Sequence, residues 1–298
     1  MKTLSVVLTR LAALLLVCNG AVSLAQDTQR PPTSTNQIAA AKAPWGRIVL
    51  VGASVSAGFT ESEMLGGPNT AQYRLNRYVD AAVSAPHEPS RNLASTLFFI
   101  KPDLEGQRQI TLALESKPTL VLGLDFLFWF CYGAGNTDAE RLQQFERGLK
   151  LLEAVECPLI LGDIPDASGA SQDMLTPDLI PSAKAMAAAN QRLREWAASR
   201  KQVVIVPLSK FMRSAMANQS ISIHGRAFAE GKSRALLQDD RLHPTPTGCA
   251  VLALTMLDAF LSRQPALSPA EVRWDPAEVL QLALKTSGNG AQSSSSER

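Results

Sequence analysis

Short apolar runs alternate with longer amphipathic stretches along most of the chain. Five of these runs have the length of a strand: Ile48 to Val51, Thr96 to Ile100, Leu120 to Leu124, Leu159 to Leu161 and Val203 to Val206. Their residues are mostly β-branched, aromatic or leucine, and a continuous apolar run is typical of a strand that is buried on both faces. The pattern therefore predicts five strands of a largely buried sheet.

Helical patterns lie between these runs. The clearest begins at Thr137, where Glu140 three residues later completes a capping box. Further helices are predicted over residues 71–83, about Pro181 to Ala198, Gly248 to Leu261, and after Ser268 and Asp275. Strands that alternate with helices indicate an α/β fold, a parallel sheet with helices on both faces. Five strands suit a flavodoxin-like three-layer sandwich.

The N-terminus has the features of a secretory signal peptide. Lys2 and Arg10 precede the apolar stretch Leu11 to Cys18, and Ser23-Leu24-Ala25 supplies a small-x-small cleavage site. The apolar stretch is too short to span a bilayer as a helix, so no stable membrane span is predicted. Cleavage near Ala25 implies a secreted or periplasmic protein.

The composition predicts one main domain with polar ends. After the signal peptide (1–25), residues 26–44 form a polar linker, 45–262 the domain, 263–286 a C-terminal helical extension and 287–298 a disordered Gly/Ser-rich tail. The net charge of +2 is too small to indicate a nucleic-acid partner. Three cysteines remain after cleavage, Cys131, Cys157 and Cys249, and the sequence leaves open whether two of them form a disulfide.

A candidate nucleophile follows the first strand. Ser54 lies in Gly52-Ala53-Ser54-Val55, where a buried strand passes into a helix through small residues. In open α/β sheets, ligands bind at the carboxyl ends of the strands. A serine at that edge can act as a nucleophile if a base reaches it.

The chain has three histidines, so the candidate bases are few. His243 follows Asp240 by three residues, and a carboxylate at this spacing can fix the imidazole tautomer and stabilise the imidazolium. Alone, this pair is better explained as a loop structure; together with Ser54 it favours a catalytic triad. His87 and His224 lie in polar, loop-like sequence without paired ligand spacing, so no metal site is predicted.

The serine and histidine motifs together resemble the SGNH (GDSL-like) hydrolases. The resemblance covers about residues 46–262, and Asp240-x-x-His243-Pro244 is its most specific part. It implies an enzyme with Ser54 as nucleophile, His243 as base and Asp240 orienting His243. No cofactor is then required. The expected reaction is hydrolysis of a carboxylic ester through an acyl-enzyme, with a small-molecule, lipid or acetylated-carbohydrate ester as substrate.

This sequence departs from the family's pattern at the oxyanion site. Ala53 stands where the family usually has Asp, and Gly123-Leu124-Asp125 puts Asp where an oxyanion-binding Asn is expected. A protonated Asp125, favoured by its aromatic neighbours, could donate to the oxyanion; alternatively it contacts a substrate hydroxyl or amine. Gly106, expected in the loop after the second strand, is the candidate for the family's second-block glycine.

Two further features can be read in two ways. Asp163 ends the fourth strand and is a candidate substrate contact, although bracing of a proline turn explains it slightly better. The aromatic residues Phe126, Phe128, Trp129, Phe130 and Tyr132 could line an acyl or sugar pocket, but core packing is the safer interpretation.

Other functional classes fit less well. A dinucleotide-binding turn would need Gly-x-Gly-x-x-Gly, which is absent, and a Gly-x-Ser-x-Gly elbow is excluded because Ser56 occupies its second glycine position. The main alternative is an SGNH-like domain that binds a ligand but has lost hydrolysis, which Ala53 and Asp125 would suit.

Overall fold

The computed structural model describes residues 44–64, 66–133 and 137–288. The predicted signal peptide, all of the predicted linker except Pro44, and the tail from 289 onward lie outside the described residues. Ser287 and Gly288 belong to the last helix, so the prediction that disorder begins at 287 is wrong for these two residues.

The centre of the fold is a parallel five-stranded sheet, as the sequence predicts. Its strands are β1 (Ile48–Leu50), β2 (Arg91–Asn92), β3 (Leu120–Gly123), β4 (Leu159–Gly162) and β5 (Val203–Val206). They lie in the order β2-β1-β3-β4-β5, the flavodoxin-like order. Ile48 pairs with Leu120, and Leu159 pairs with both Val121 and Val203.

The second strand is not the predicted one. Residues 96–100 form a turn and a short 3-10 helix, Phe98–Ile100, whereas β2 is the polar pair Arg91–Asn92. Because β2 is short and lies at the sheet edge, it contacts few apolar neighbours, and no hydrophobic run marks it. Within the predicted run, Phe98 is buried, whereas Phe99 is 50% exposed and Ile100 is 58% exposed.

Helices cover both faces of the sheet. They are α1 (Ser54–Ala57), α2 (Leu75–Ala82), α3 (Pro102–Glu115), α4 (Phe128–Cys131), α5 (Asp138–Leu152), α6 (Ala183–Ala198), α7 (Leu208–Met216), α8 (Pro246–Leu261) and α9 (Pro276–Gly288). The other elements are the hairpin strands β6 (Ile221–Ile223) and β7 (Arg226–Phe228) and the 3-10 helices Glu61–Glu63, Pro68–Tyr73, Pro177–Leu179, Ser233–Leu236 and Pro269–Glu271.

Side chains of the strands alternate between two apolar layers. Ile48, Leu50 and Leu120 belong to a core with α2, α7, α8 and α9. Val49 and Val121 belong to the opposite core, with α3, α4, α5 and α6. Since successive side chains of a strand point to opposite faces, a strand buried on both faces needs apolar residues throughout.

Local capping explains where the main helices start. Thr137 and Glu140 form the predicted capping box of α5. Ser182 caps α6, so this helix begins two residues after the predicted Pro181. Thr245 caps α8, whose first turn starts at Pro246, immediately after the predicted histidine motif. Among the described residues, no helix is both long and apolar enough to cross a bilayer.

Candidate active site

Ser54 is the first residue of α1, one sharp turn beyond β1. The turn begins at Gly52, whose φ of +142° is rarely open to residues with a side chain. A Cβ atom at Gly52 would also clash with the carboxyl oxygen Oδ1 of Asp125. Glycine is therefore required at position 52 for both conformation and space.

The histidine motif forms a tight loop before α8. The carboxylate oxygen Oδ1 of Asp240 accepts hydrogen bonds from the backbone N–H groups of Leu242 and His243, both at 2.9 Å. Arg241 takes a φ of +59°, which turns the chain back toward the carboxylate. A Cβ at Gly248 would clash with the carbonyl oxygen of Leu236, so this glycine allows α8 to start against the neighbouring chain.

The fold brings Ser54, His243 and Asp240 together. The hydroxyl Oγ of Ser54 lies 2.8 Å from Nε2 of His243. On the other side of the ring, Nδ1 lies 2.6 Å from Oδ2 of Asp240. Asp240 is 0% exposed and His243 is 3% exposed. This is the geometry of a nucleophile, a base within hydrogen-bond reach and a third group that orients the base.

Asp240 is electrostatically suited to a position beside the imidazole. Burial opposes its ionisation, but the hydrogen bonds and charge of His243 and the backbone N–H bonds outweigh this effect and lower the pKa of the carboxyl below its ordinary value. A carboxylate held ionised at Nδ1 fixes a proton there and leaves Nε2 free to accept one from Ser54.

Two residues that the sequence analysis missed support the imidazole. The ring of Phe59 stacks on His243 with 4.0 Å between ring centroids. The side-chain amide of Gln238 donates to the carbonyl oxygens of Phe59 at 2.8 Å and Pro244 at 2.9 Å. Phe59 and Gln238 are 179 residues apart, and neither belongs to a local motif, so no sequence signal links them.

Asp125 lies under the serine turn, at the wall of the cavity described below. Its Oδ2 accepts from the backbone N–H groups of Val55 at 2.8 Å and Ser56 at 3.2 Å, and its Oδ1 lies 2.6 Å from the Ser56 hydroxyl. The helix-start position before Ser54 is Ala53, which has no capping side chain. Asp125 therefore satisfies the first N–H groups of α1 from 70 residues away along the chain.

The environment of Asp125 favours its neutral form. Burial raises the pKa of its carboxyl above the ordinary value, against the opposing effect of the hydrogen bonds from Ser56 and the backbone. The expectation of an apolar setting thus agrees with the structure. Both carboxyl oxygens contact the serine turn, and the contact of Asp125 with an oxyanion or substrate stays a prediction.

Gly106 and Asp163 lie outside the site. Gly106 is in the interior of α3, where a Cβ would be 3.0–3.2 Å from side chains of Leu151, Phe130 and Phe126. Its expected loop position followed from the wrong second strand. Asp163 accepts hydrogen bonds from the N–H and the hydroxyl of Ser209, both at 2.6 Å, so it caps the start of α7. Neither residue lines the cavity that contains Ser54.

A cavity of about 470 Å³ opens beside Ser54 and His243. Five of its 22 lining residues are polar: Ser54, Thr96, Asp125, Asp173 and His243. The apolar ones are Ala53, Val55, Phe59, Met64, Leu97, Phe99, Phe128, Trp129, Pro165, Met174, Leu208, Phe211, Met212, Leu237, Leu242, Pro244 and Leu252. Thr96 lies on the loop after β2, and no sequence motif marks it as a site residue.

Both interpretations of the aromatic run are partly correct. Phe128 and Trp129 line the cavity, whereas Phe126 and Phe130 are fully buried in the core. The hydroxyl of Tyr132 donates to the carbonyl oxygen of Pro165 at 2.7 Å, so this residue braces the chain after β4.

The two remaining histidines contact residues outside the cavity that contains Ser54. His87 lies 3.5 Å from Asp80, and His224 stacks on Trp274 with 4.3 Å between ring centroids. Across residues 44–64, 66–133 and 137–288, no group of three or more His, Cys, Asp or Glu side chains is placed to hold a metal ion. The three cysteines among the described residues, Cys131, Cys157 and Cys249, are free thiols.

No protein-family model matches the chain, and no curated protein matches it in sequence. Solved structures do match it in shape. A lipase/acylhydrolase from Enterococcus faecalis has a TM-score of 0.47 and 16% identity, covering 77% of this chain and 98% of that one. The chain resembles GDSL-like hydrolases in its fold.

Two further matches have similar values. An esterase from Pseudoalteromonas has a TM-score of 0.42 and 17% identity, over 74% of this chain and 99% of its own. A GDSL-like lipase from Bacteroides thetaiotaomicron has a TM-score of 0.41 and 14% identity, over 79% and 97%. At these values the likeness is one of fold only.

Proposed function

We propose that the protein is a secreted serine hydrolase that cleaves a carboxylic ester through an acyl-enzyme. The observation that carries this proposal is the continuous contact from Ser54 through His243 to Asp240, at 2.8 and 2.6 Å. A serine bonded to a buried imidazole, itself bonded to a buried carboxylate, is the arrangement that generates a nucleophile. Support for secretion comes from the signal-peptide pattern that ends near Ala25.

The reaction follows from the positions of the three side chains. Oγ of Ser54 bonds to the ester carbonyl carbon while Nε2 of His243 takes the hydroxyl proton, and the carbonyl electrons move onto oxygen. The imidazolium is stabilised by Asp240. When the tetrahedral intermediate collapses, the alcohol leaves with its bonding electrons and receives the proton from His243. Water then attacks the acyl-enzyme by the same route, releasing the acid and restoring Ser54.

The developing oxyanion needs donors on the cavity side of the serine turn. The carboxyl of Asp125 accepts hydrogen bonds from the N–H groups of Val55 and Ser56. We therefore assign the N–H of Ser54 as the donor to the oxyanion. Thr96, on the cavity wall, has an N–H and a hydroxyl that could supply a second donor. Asp125 acts in this scheme by fixing the turn.

The test is labelling of the mature protein (residues 26–298) with a fluorophosphonate probe, read by intact mass and peptide mapping. We expect one adduct, on Ser54, that is absent in Ser54→Ala and strongly slowed in His243→Ala. Ser62→Ala, which changes an exposed serine near the site, is the matched control and should label normally. Hydrolysis of p-nitrophenyl esters should fall by about a millionfold in Ser54→Ala.

The alternative, a ligand-binding domain without hydrolysis, predicts a different result. Ser54 would remain unlabelled although the protein is folded, and ester turnover would not depend on Ser54 or His243. That outcome would overturn the proposed function. Ala53 in place of the family's acidic residue is the feature that keeps this alternative open.

A further inference from the structure

We infer that the ester cleaved at Ser54 carries a hydrophobic acyl group much larger than acetyl. This inference rests on the proposed function and narrows it, because acetylated sugars, lipids and small esters are otherwise equal candidates. It is drawn from the chemistry of the cavity wall, its size and the surface around its mouth.

The walls of the cavity come from both layers of the fold and are apolar on both sides. Leu208, Phe211 and Met212 of α7 form one wall. Phe128 and Trp129 of α4 belong to the opposite core layer. A site enclosed by leucine, methionine and aromatic side chains stabilises a ligand group by removing its apolar surface from water.

Four of the five polar residues of the cavity are hydrogen-bonded to one another or to the serine turn, or are exposed, and the fifth, Thr96, is assigned to the oxyanion. Ser54 and His243 bond to each other, and both carboxyl oxygens of Asp125 contact the serine turn. Asp173 is exposed. The lining residues in the described part of the chain include no Lys, Arg, Asn or Gln. A sugar bound here would leave several hydroxyls without partners, and unpaired buried polar groups are costly.

The volume fits a chain rather than an acetyl group. An apolar protein cavity of about 150 Å³ holds a benzene molecule, and the present cavity measures about 470 Å³. By that ratio the cavity has room for about three such six-carbon groups, so an acyl chain of about eight carbons or more fits inside it, whereas an acetyl group would leave most of it unfilled.

The mouth of the cavity continues this apolar surface to solvent. Three lining residues are about half exposed: Leu97 at 45%, Phe99 at 50% and Met64 at 53%. Ile100, next to Phe99, is 58% exposed. Large apolar side chains clustered at a cavity mouth are typical of a surface that contacts an apolar ligand. Here we assign that ligand as the incoming acyl chain.

The experiment measures kcat/KM of the mature protein on p-nitrophenyl esters from acetate to dodecanoate. We expect kcat/KM to rise about two- to fourfold per added methylene, at least as far as octanoate, because each buried methylene contributes transfer free energy. A maximum at acetate, with Ser54 labelled by the fluorophosphonate, would overturn the inference and leave the proposed function intact. Absence of labelling and of turnover on every ester would overturn both.

Two variants connect the chain-length preference to this cavity. Met174→Trp narrows it from a half-buried position and should lower the octanoate-to-acetate ratio of kcat/KM at least tenfold. Leu114→Trp, on α3 and away from the cavity, is the matched control and should leave the ratio unchanged. Phe99→Asp changes a half-exposed residue at the cavity mouth and should lower the same octanoate-to-acetate ratio. An unchanged ratio in both Met174→Trp and Phe99→Asp would contradict the inference.

Discussion

The site contains two buried aspartates with opposite electrostatic behaviour, one in the histidine loop and one under the serine turn. Asp240 and Asp125 are 0% and 4% exposed, and each accepts two backbone N–H bonds. Their remaining oxygens differ in partner. Asp240 faces the imidazole of His243, whereas Asp125 faces the neutral hydroxyl of Ser56.

The deeper position of Asp125 in the protein and the pairing of Asp240 with His243 give the two pKa shifts opposite directions. Burial raises the pKa of both carboxyls, but the pairing with His243 reverses the effect for Asp240 and no such partner exists in the contacts of Asp125. The loop with the ionised carboxylate can stabilise charge that develops on His243. The Asp125 carboxyl, whose pKa is raised by burial, accepts hydrogen bonds from the backbone and the hydroxyl of the serine turn and has no contact with His243 among its hydrogen bonds. Burial of an aspartate at an active site therefore does not by itself assign it a catalytic role.

Of the substitutions that test the difference between the two aspartates, Asp240→Asn is expected to reduce activity the most. The amide oxygen would keep the two backbone N–H bonds, which turns the amide NH₂ toward Nδ1 of His243. Nδ1 must then accept, so the proton moves to Nε2 and the ring can no longer take one from Ser54. We expect kcat/KM on p-nitrophenyl esters to fall about a thousand- to ten-thousandfold with the fold preserved.

The control for this change is Asp239→Asn, which alters an exposed neighbour in the same loop. It should retain activity within a factor of two or three. If Asp240→Asn keeps more than about a tenth of wild-type kcat/KM, then Asp240 is a loop-stabilising residue only, and the two aspartates are more alike than their pKa directions indicate.

A smaller but distinctive effect is expected at Asp125, where Ala and Asn should behave differently. In Asp125→Asn, the amide oxygen can accept from Val55 and Ser56 while the amide NH₂ donates to the Ser56 hydroxyl, which mimics the protonated acid. We expect mild changes in stability and activity. Asp125→Ala leaves buried donors unpaired and should lower the free energy of unfolding by about 2–4 kcal/mol.

Chemical denaturation and kcat/KM together check this prediction. Asp125→Ala should also lose activity, by about tenfold to a hundredfold, because the serine turn loses its anchor. Equal damage from Asn and Ala would contradict the prediction, since it would mean that Asp125 must be ionised or that the turn does not depend on it.

The same comparison shows what the sequence could and could not predict. The proximity of Ser54, Asp240 and His243 could be predicted because each lies in a short motif whose chemistry depends on local spacing. Buried strands were identifiable for a related reason, since their residues must be apolar on both faces. The short edge strand β2 carries no such pattern, and placing it at residues 96–100 moved Gly106 into a loop that does not exist.

Polar contacts between residues far apart in the chain could not be predicted from the sequence either. The sequence could show that Asp125 has apolar neighbours, but not that its carboxyl lies against a turn 70 residues earlier in the chain. The link from Gln238 to Phe59 is of the same kind. Such contacts depend on how β1, β3 and the histidine loop are arranged around the sheet, and side-chain identity alone does not encode that arrangement.

Stability as a function of pH should separate the two aspartates by sign. The folded-state pKa of Asp125 is raised above the ordinary carboxyl value of about 4. Its contribution to the free energy of unfolding is therefore present below about pH 4 and is lost as pH rises through the folded-state pKa, whereas Asp125→Asn shows no such loss. For Asp240 the folded pKa is lowered. Its contribution is present above about pH 4 and is lost as pH falls through the folded value.

Denaturation curves of wild type, Asp125→Asn and Asp240→Asn at matched pH values measure these differences. The free energy of unfolding of the wild type minus that of Asp125→Asn should decrease with rising pH. The corresponding difference from Asp240→Asn should increase with rising pH in the acid range. Slopes of the same sign would show that the two carboxyls titrate alike and would remove the distinction between the two regions.

The smallest expected effect is that of Ser56→Ala, which tests the polar contact that distinguishes the serine turn. The Ser56 hydroxyl is buried and contacts Oδ1 of Asp125 at 2.6 Å, while the Ser56 N–H bond to the same carboxyl is a backbone contact that survives the change. We expect a loss of about 1–2 kcal/mol in the free energy of unfolding, with kcat/KM reduced only severalfold, because Asp125 still holds the turn through Val55 and Ser56. Ser62→Ala, exposed and outside this network, should cost less than about 0.5 kcal/mol. A Ser56→Ala variant as inactive as Ser54→Ala would instead place the Ser56 hydroxyl in the chemical step.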